Sequence, residues 1–298
     1  MNTPEPPKRP VVDTVTDPQR AEILESAHQD AELDPRKAGA IAETIPSPEG
    51  MPIGSDTRRG WLMFGCFVLG EVAFVAASVL VLLPYALASP RDAAEGSLPT
   101  AALVVALVVP TVLAALVATT GAALLGQGNV TQRLRSQLSV RWRLSDVGIG
   151  LLLGFVGLVI TVPAAGLWAR WVGTSQANSA VGEAFEDLRL PLGMALVLFF
   201  AVWLVAPLCE ELLYRGVLWR AMEYWQWNRW VIFVLTTALF SVAHLELLRT
   251  PLLVVISLPI ALARMLTGNL LASIVAHQAN NFLPAIGLLL ITQGLVPG

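Results

Sequence analysis

The chain has 298 residues, of which 55% are hydrophobic and 14% charged, with a formal net charge of -3 and a pI near 5.7. That balance gives no basic field for nucleic acid, and no nucleic-acid motif is present, so DNA or RNA binding is excluded as a function class. The two cysteines, Cys66 and Cys209, both lie in apolar stretches; they read as small packing groups, with no disulfide framework expected.

Residues 1–57 form the first segment, rich in Pro and acidic residues such as Pro4, Pro6, Pro7, Asp30, Glu32 and Asp34. Such a stretch cannot bury enough apolar surface to offset its ordering entropy, so a disordered tail is expected, with a short helix around Arg20 to Leu33. The start lacks the charged and apolar regions of a cleavable signal, so the tail is expected to stay attached, in the cytoplasm.

Membrane-length apolar runs follow near 61–88, 101–126, 147–169, 191–222, 229–247, 251–266 and 270–294. They predict an all-α, polytopic transmembrane bundle of about seven to eight spans, the eighth arising if Pro251 or Pro284 splits a segment. Residues 58–185 are expected to supply N-terminal transmembrane helices, and 186–298 a core that carries the chemistry. Arg58 and Arg59 precede the first span, and Arg133, Arg135, Arg141 and Arg143 fill the second loop. The intervening loops carry Glu95 or Glu183, Glu186 and Asp187. By the positive-inside rule this places the N-terminus in the cytoplasm and the chain in the inner membrane. Trp61, Trp168, Trp171, Trp219, Trp225, Trp227 and Trp230 lie near span boundaries, as an interfacial belt would.

The C-terminal third concentrates ionisable groups inside apolar runs, which in hydrocarbon marks a functional site. The fourth run, about 30 residues long, holds Glu210-Glu211-Leu-Leu-Tyr-Arg215 well inside. If the chain turns near Gln226 to Asn228, Glu210 and His244 reach similar depth on an antiparallel hairpin. His277 and Asn281, four apart, share one helix face. Adjacent residues on a helix point about 100° apart, so the two glutamates have different tasks. Glu211 and Arg215, at i and i+4, suit an internal ion pair, which leaves Glu210 for chemistry. Two arrangements fit these groups. A divalent metal such as zinc could be held by Glu210, His244 and His277 and polarise water. Alternatively, with no cofactor, Glu210 and His244 activate water while His277 and Asn281 stabilise an oxyanion. Asn is a poor zinc ligand and the zincin pattern is absent, which favours the second. Glu71 reads as a structural partner or cavity-lining acid, Cys209 as inert, Asn280 as interhelical glue, and Glu246 with Arg249 as solvated.

The three ordered motifs Glu210-Glu211-x-x-x-Arg215, Phe240-x-x-x-His244 and His277-x-x-x-Asn281 resemble those of the CAAX-protease and bacteriocin-processing (CPBP, or Abi) family of intramembrane endopeptidases. Flanking text agrees, including Leu212-Leu213-Tyr214-Arg215-Gly216 and Leu266-Thr267-Gly268-Asn269-Leu270, and the likeness runs from about 190 to 285. The resemblance implies peptide-bond cleavage within the membrane. Glu210 would be the general base and His244 its partner, with His277 and Asn281 at the oxyanion and Glu211 and Arg215 in support. It implies as partners the lipid bilayer and a membrane-associated protein or peptide substrate. The family is commonly labelled metalloprotease, although a metal-free glutamate mechanism is also implied by its members. The competing readings are a non-catalytic scaffold or bacteriocin-immunity protein, and a transporter using the same groups as a proton relay.

Overall fold

The computed structural model describes residues 53–88 and 99–296. The expected tail over 1–57 and the Glu95 loop lie outside the described residues, apart from the tail's last few, which open the first helix. Among the described residues every regular element is helical. In chain order these are α1 (Ile53–Ala88), α2 (Thr100–Leu124), α3 (Val130–Leu138), α4 (Leu144–Val172), α5 (Thr174–Ala177), α6 (Ala180–Phe185), α7 (Leu192–Tyr224), α8 (Arg229–Ala243), α9 (Thr250–Thr267) and α10 (Leu270–Thr292).

The fold is a polytopic transmembrane helical bundle. Six helices, α1, α2, α4, α7, α9 and α10, are long and apolar enough to cross a membrane. The expected fifth span is α8, equally apolar but only 15 residues long. At about 1.5 Å per residue it extends about 22 Å, short of a hydrocarbon core of about 30 Å. It stops at Ala243 rather than 247 because the chain turns there, with Leu245 at a φ of 57°. Among the described residues no eighth span forms. Pro251 sits in the first turn of α9, where its missing N–H is no loss, and Pro284 stays inside α10.

Close packing rests on small residues. Gly150, Gly154 and Gly157 line the buried stripe of α4 that meets α10 and α9. A Cβ at Gly150 would stand 2.5 Å from Ala272 O, and one at Gly154 would stand 2.8 Å from Ala276 O and 2.6 Å from Ala279 Cβ. The two backbones therefore approach to where any side chain is excluded, the usual basis of association where water drives nothing. The outer faces of α1 and α4 carry exposed Leu69, Val75, Leu80, Leu152, Phe155 and Val159, as helices facing lipid require.

The turn between α9 and α10 is fastened by Asn269, which is fully buried. Its Nδ2 donates to Arg141 O at 2.6 Å and to Asp146 Oδ2 at 2.7 Å, and its Oδ1 accepts from Arg141 N and Leu271 N, both at 3.1 Å. One side chain thus caps α10 and ties it to the strand of chain leading into α4. Gly268, at φ 59°, supplies the left-handed residue that ends α9. The main core gathers Met63, Phe67, Leu138, Leu213, Tyr214, Val217, Leu218, Ile232 and Phe240, drawn from α1, α3, α7 and α8.

Candidate active site

The long helix α7 is not uniform. Two π-helical stretches, Ala201–Val205 and Leu212–Leu218, bracket the α-helical turn Ala206–Glu211 that carries the paired glutamates. In the first, Ala206 N–H donates to Ala201 O, five residues back, and skips Val202 O. The next residue, Pro207, has no N–H to offer. Val202 O is left to a side chain, and Asn281 Nδ2 of α10 reaches it at 3.3 Å. Gln278, one turn earlier on α10, donates to Leu204 O at 3.4 Å. Such bulges concentrate at functional sites because they turn side chains away from the α-helical register.

Glu211 and Arg215 form the expected ion pair, Nη1 to Oε1 at 3.0 Å, with both side chains fully excluded from solvent. The same Glu211 oxygen accepts from His277 Nδ1 at 3.1 Å. The other ring nitrogen, Nε2, lies 3.7 Å from Glu210 Oε2. His277 therefore sits between the two carboxylates. Nδ1 is engaged by Glu211, and Nε2 faces Glu210. Of the two acids, only Glu210 opens outward, with a side chain 24% exposed against none for Glu211.

Phe240 is the hub of the apolar wall. Its ring meets Tyr214 at 5.5 Å, His244 at 4.7 Å and His277 at 5.7 Å between centroids, and the Arg215 guanidinium lies 4.4 Å over its face. A cation over an aromatic face in a dry site helps hold that buried charge in place. His244 caps the end of α8, where its Nδ1–H donates to Phe240 O at 2.8 Å, leaving Nε2 of the exposed ring unengaged. The motif spacing from Phe240 to His244 is thus a local i to i+4 bond that fixes the imidazole tautomer.

Of the residues expected at the site, the structure brings together Glu210, Glu211, Arg215 and His277. It does not bring His244 into contact with Glu210, because α8 ends at Ala243 and the ring turns to its own helix. Nor does Asn281 contact Glu210; its amide goes to Val202 O. Among the described residues no three His, Cys, Asp or Glu side chains converge on a metal position. Glu210, His244 and His277 consequently do not fit a zinc triad. Glu246 and Arg249, expected to be solvated, are instead paired to each other at 17% and 15% side-chain exposure, and Glu246 Oε1 accepts from Ala180 N at 2.7 Å. Cys209 is buried and unpaired. Asn280 is buried too, with its Oδ1 accepting from Thr161 Oγ1 of α4 at 3.5 Å, the glue expected of it.

Residues 192–283 match the type II CAAX prenyl endopeptidase Rce1-like family. The similarity to the CAAX-protease family is confined to this segment. The match spans the whole of α7, α8 and α9 and most of α10, and so contains every site residue above. The chain is also similar to an uncharacterised 24.3 kDa protein of Escherichia coli, 27% identical over 158 residues, which is 50% of this chain and 68% of that protein. No solved structure matches.

Sequence reasoning overlooked Arg264, a fully buried arginine of α9 whose Nε donates to Arg215 O at 3.0 Å. The signal was present, since a charge inside an apolar membrane segment requires a partner. It also left Phe240 without a role, and that role is legible only from the contacts. Glu71 of α1 comes to this region as well. Its Oε1 is shielded from solvent without a hydrogen-bond partner, and the neighbouring Gly70 packs so closely on α7 that a Cβ there would lie 3.0 Å from Leu213.

Proposed function

We propose that this protein is an intramembrane endopeptidase that hydrolyses a peptide bond of a membrane-associated protein or peptide with a water activated by Glu210. The observation that carries the reading is the asymmetry of the paired acids. Glu211 is buried and held by Arg215 and His277, whereas Glu210 is partly open and faces His277 Nε2. Glu210 takes a proton from water as that water attacks the scissile carbonyl, and the proton then passes to the departing amine. His277, anchored through Nδ1 on Glu211, orients Glu210 and offers its Nε2 face to the reacting atoms. Asn281 uses one amide N–H on Val202 O and keeps a second for the developing oxyanion, while His244 lends its free Nε2 at the rim. No cofactor enters this scheme. The tail is placed in the cytoplasm and the bundle in the inner membrane, supported by Arg58, Arg59, Arg133 and Arg135 flanking the first two spans.

The test is a quantitative map of new peptide termini in membranes holding equal amounts of wild type or Glu210→Gln. Termini present with wild type and missing with the folded variant are expected, and they name the substrate. Identical maps, under conditions where the protein is required, would overturn proteolysis in favour of a non-catalytic scaffold.

A further inference from the structure

The second π-helical stretch of α7 has an unusual backbone consequence. Trp219 N–H reaches Tyr214 O, five residues back, and Gly216 O, three back, so it passes over Arg215 O, its α-helical acceptor. Arg215 O is deep in the bundle, where an unpaired carbonyl is costly. The donor that fills this vacancy comes from another helix: Arg264 Nε, 3.0 Å away and 49 residues along the chain. Arg264 is itself fixed on three sides. Its guanidinium carbon lies 5.3 Å over the Trp219 ring, and its Nη2 lies 3.7 Å from Glu223 Oε1. Glu223 in turn accepts from Trp219 Nε1 and from Arg220 Nη1, both at 2.9 Å. Asn281 serves the first π-helical stretch in the same way, at Val202 O. Each irregularity beside the glutamates thus has its skipped carbonyl satisfied by a polar side chain of a facing helix.

We infer that Arg264 is a positioning residue of the site: its Nε–H holds the π-helical stretch Leu212–Leu218 open and so keeps the turn carrying Glu210 and Glu211 rotated toward His277. The inference rests on the proteolytic reading for its kinetic consequence but not for its structural one. A stretch that relaxes to ordinary α-helix turns the residues beyond it by about 100° per residue absorbed. The Glu211–Arg215 pair, four apart, would survive, but the glutamate turn would rotate relative to the Trp219–Glu223 end that Arg264 holds, taking Glu210 and Glu211 away from His277.

The test compares two substitutions of equal side-chain length. Arg264→Gln keeps an N–H donor at the position of Nε and removes the charge, while Arg264→Met places a methyl there. Both lose the contact with Glu223, so their difference isolates the donor. With the substrate named by terminus mapping, R264M is expected to lose roughly 100-fold in kcat with KM nearly unchanged, the scale of a 1 Å misplacement of a reacting group. R264Q is expected to stay within about threefold of wild type, since its donor is kept. A structure of each variant in nanodiscs reads the Trp219 to Tyr214 hydrogen bond, retained in R264Q and replaced by Trp219 to Arg215 in R264M. Equal turnover in the two folded variants, or an intact π-helical stretch in R264M, overturns the proposal. If R264M does not accumulate, R264Q alone decides, and its loss of turnover while folded refutes the role. If neither wild type nor R264Q yields Glu210-dependent termini, proteolysis fails while the structures still test the bond.

Discussion

Removing Arg215 leaves a specific electrostatic debt that can be worked from the geometry. Glu211 is fully buried, and its Oε1 is shared by Arg215 Nη1 at 3.0 Å and His277 Nδ1 at 3.1 Å. Arg215→Met keeps the aliphatic bulk but strips the guanidinium, so the carboxylate remains in a dry site with His277 as its remaining partner at that oxygen. Breaking a buried pair from one side costs about 3–5 kcal/mol, because the surviving charge is uncompensated. Glu211→Gln, which strands Arg215 over Phe240, should cost a similar amount. The double variant E211Q/R215M carries no stranded charge, so it should be about 3 kcal/mol less destabilised than the sum of the singles. For a domain of this size each kcal/mol moves the midpoint by about 2–4 °C, so each single variant should lose about 6–20 °C. The assay is thermal unfolding of the detergent-purified protein, followed by tryptophan fluorescence. A loss under about 3 °C for R215M, or strict additivity in the double variant, would refute the view that these two charges depend on each other.

Gly154→Val should destabilise by about 1–3 kcal/mol through overpacking, since a Cβ there meets Ala279 Cβ at 2.6 Å and Ala276 O at 2.8 Å, whereas Gly148→Val, with nothing within 4 Å, should be silent in the same melt. Asn269→Ala should cost about 2–4 kcal/mol, combining a lost helix cap with a buried Asp146 left short of its donor; a chemical-denaturation midpoint equal to wild type would contradict this. Because the ligand set does not fit a metal, a strong chelator should leave Glu210-dependent termini unchanged, and their disappearance on chelation with recovery on adding zinc would contradict the metal-free scheme.

The sequence alone determined features that are local or cumulative along the chain. Length and apolarity of each run decide whether a helix can cross a bilayer, so the spans were readable to within a few residues at most ends, α8 excepted. A spacing of four on a helix brings Glu211 to Arg215 whatever surrounds them, and the pair appeared as expected. What the sequence could not supply was the rotation and neighbours of each helix. A helix apolar nearly all round gives no periodic signal of which face meets a partner and which meets lipid. Only the tertiary structure decided that α7 carries two π-helical stretches, that Asn281 and Arg264 cover the carbonyls these leave, and that His277 stands between the two acids. It likewise turned His244 back onto Phe240 O instead of onto Glu210, because α8 ends one residue before the imidazole. Those outcomes depend on backbone hydrogen bonds being satisfied across helices in a medium without water, a condition set by the packed bundle and not by any single stretch of chain.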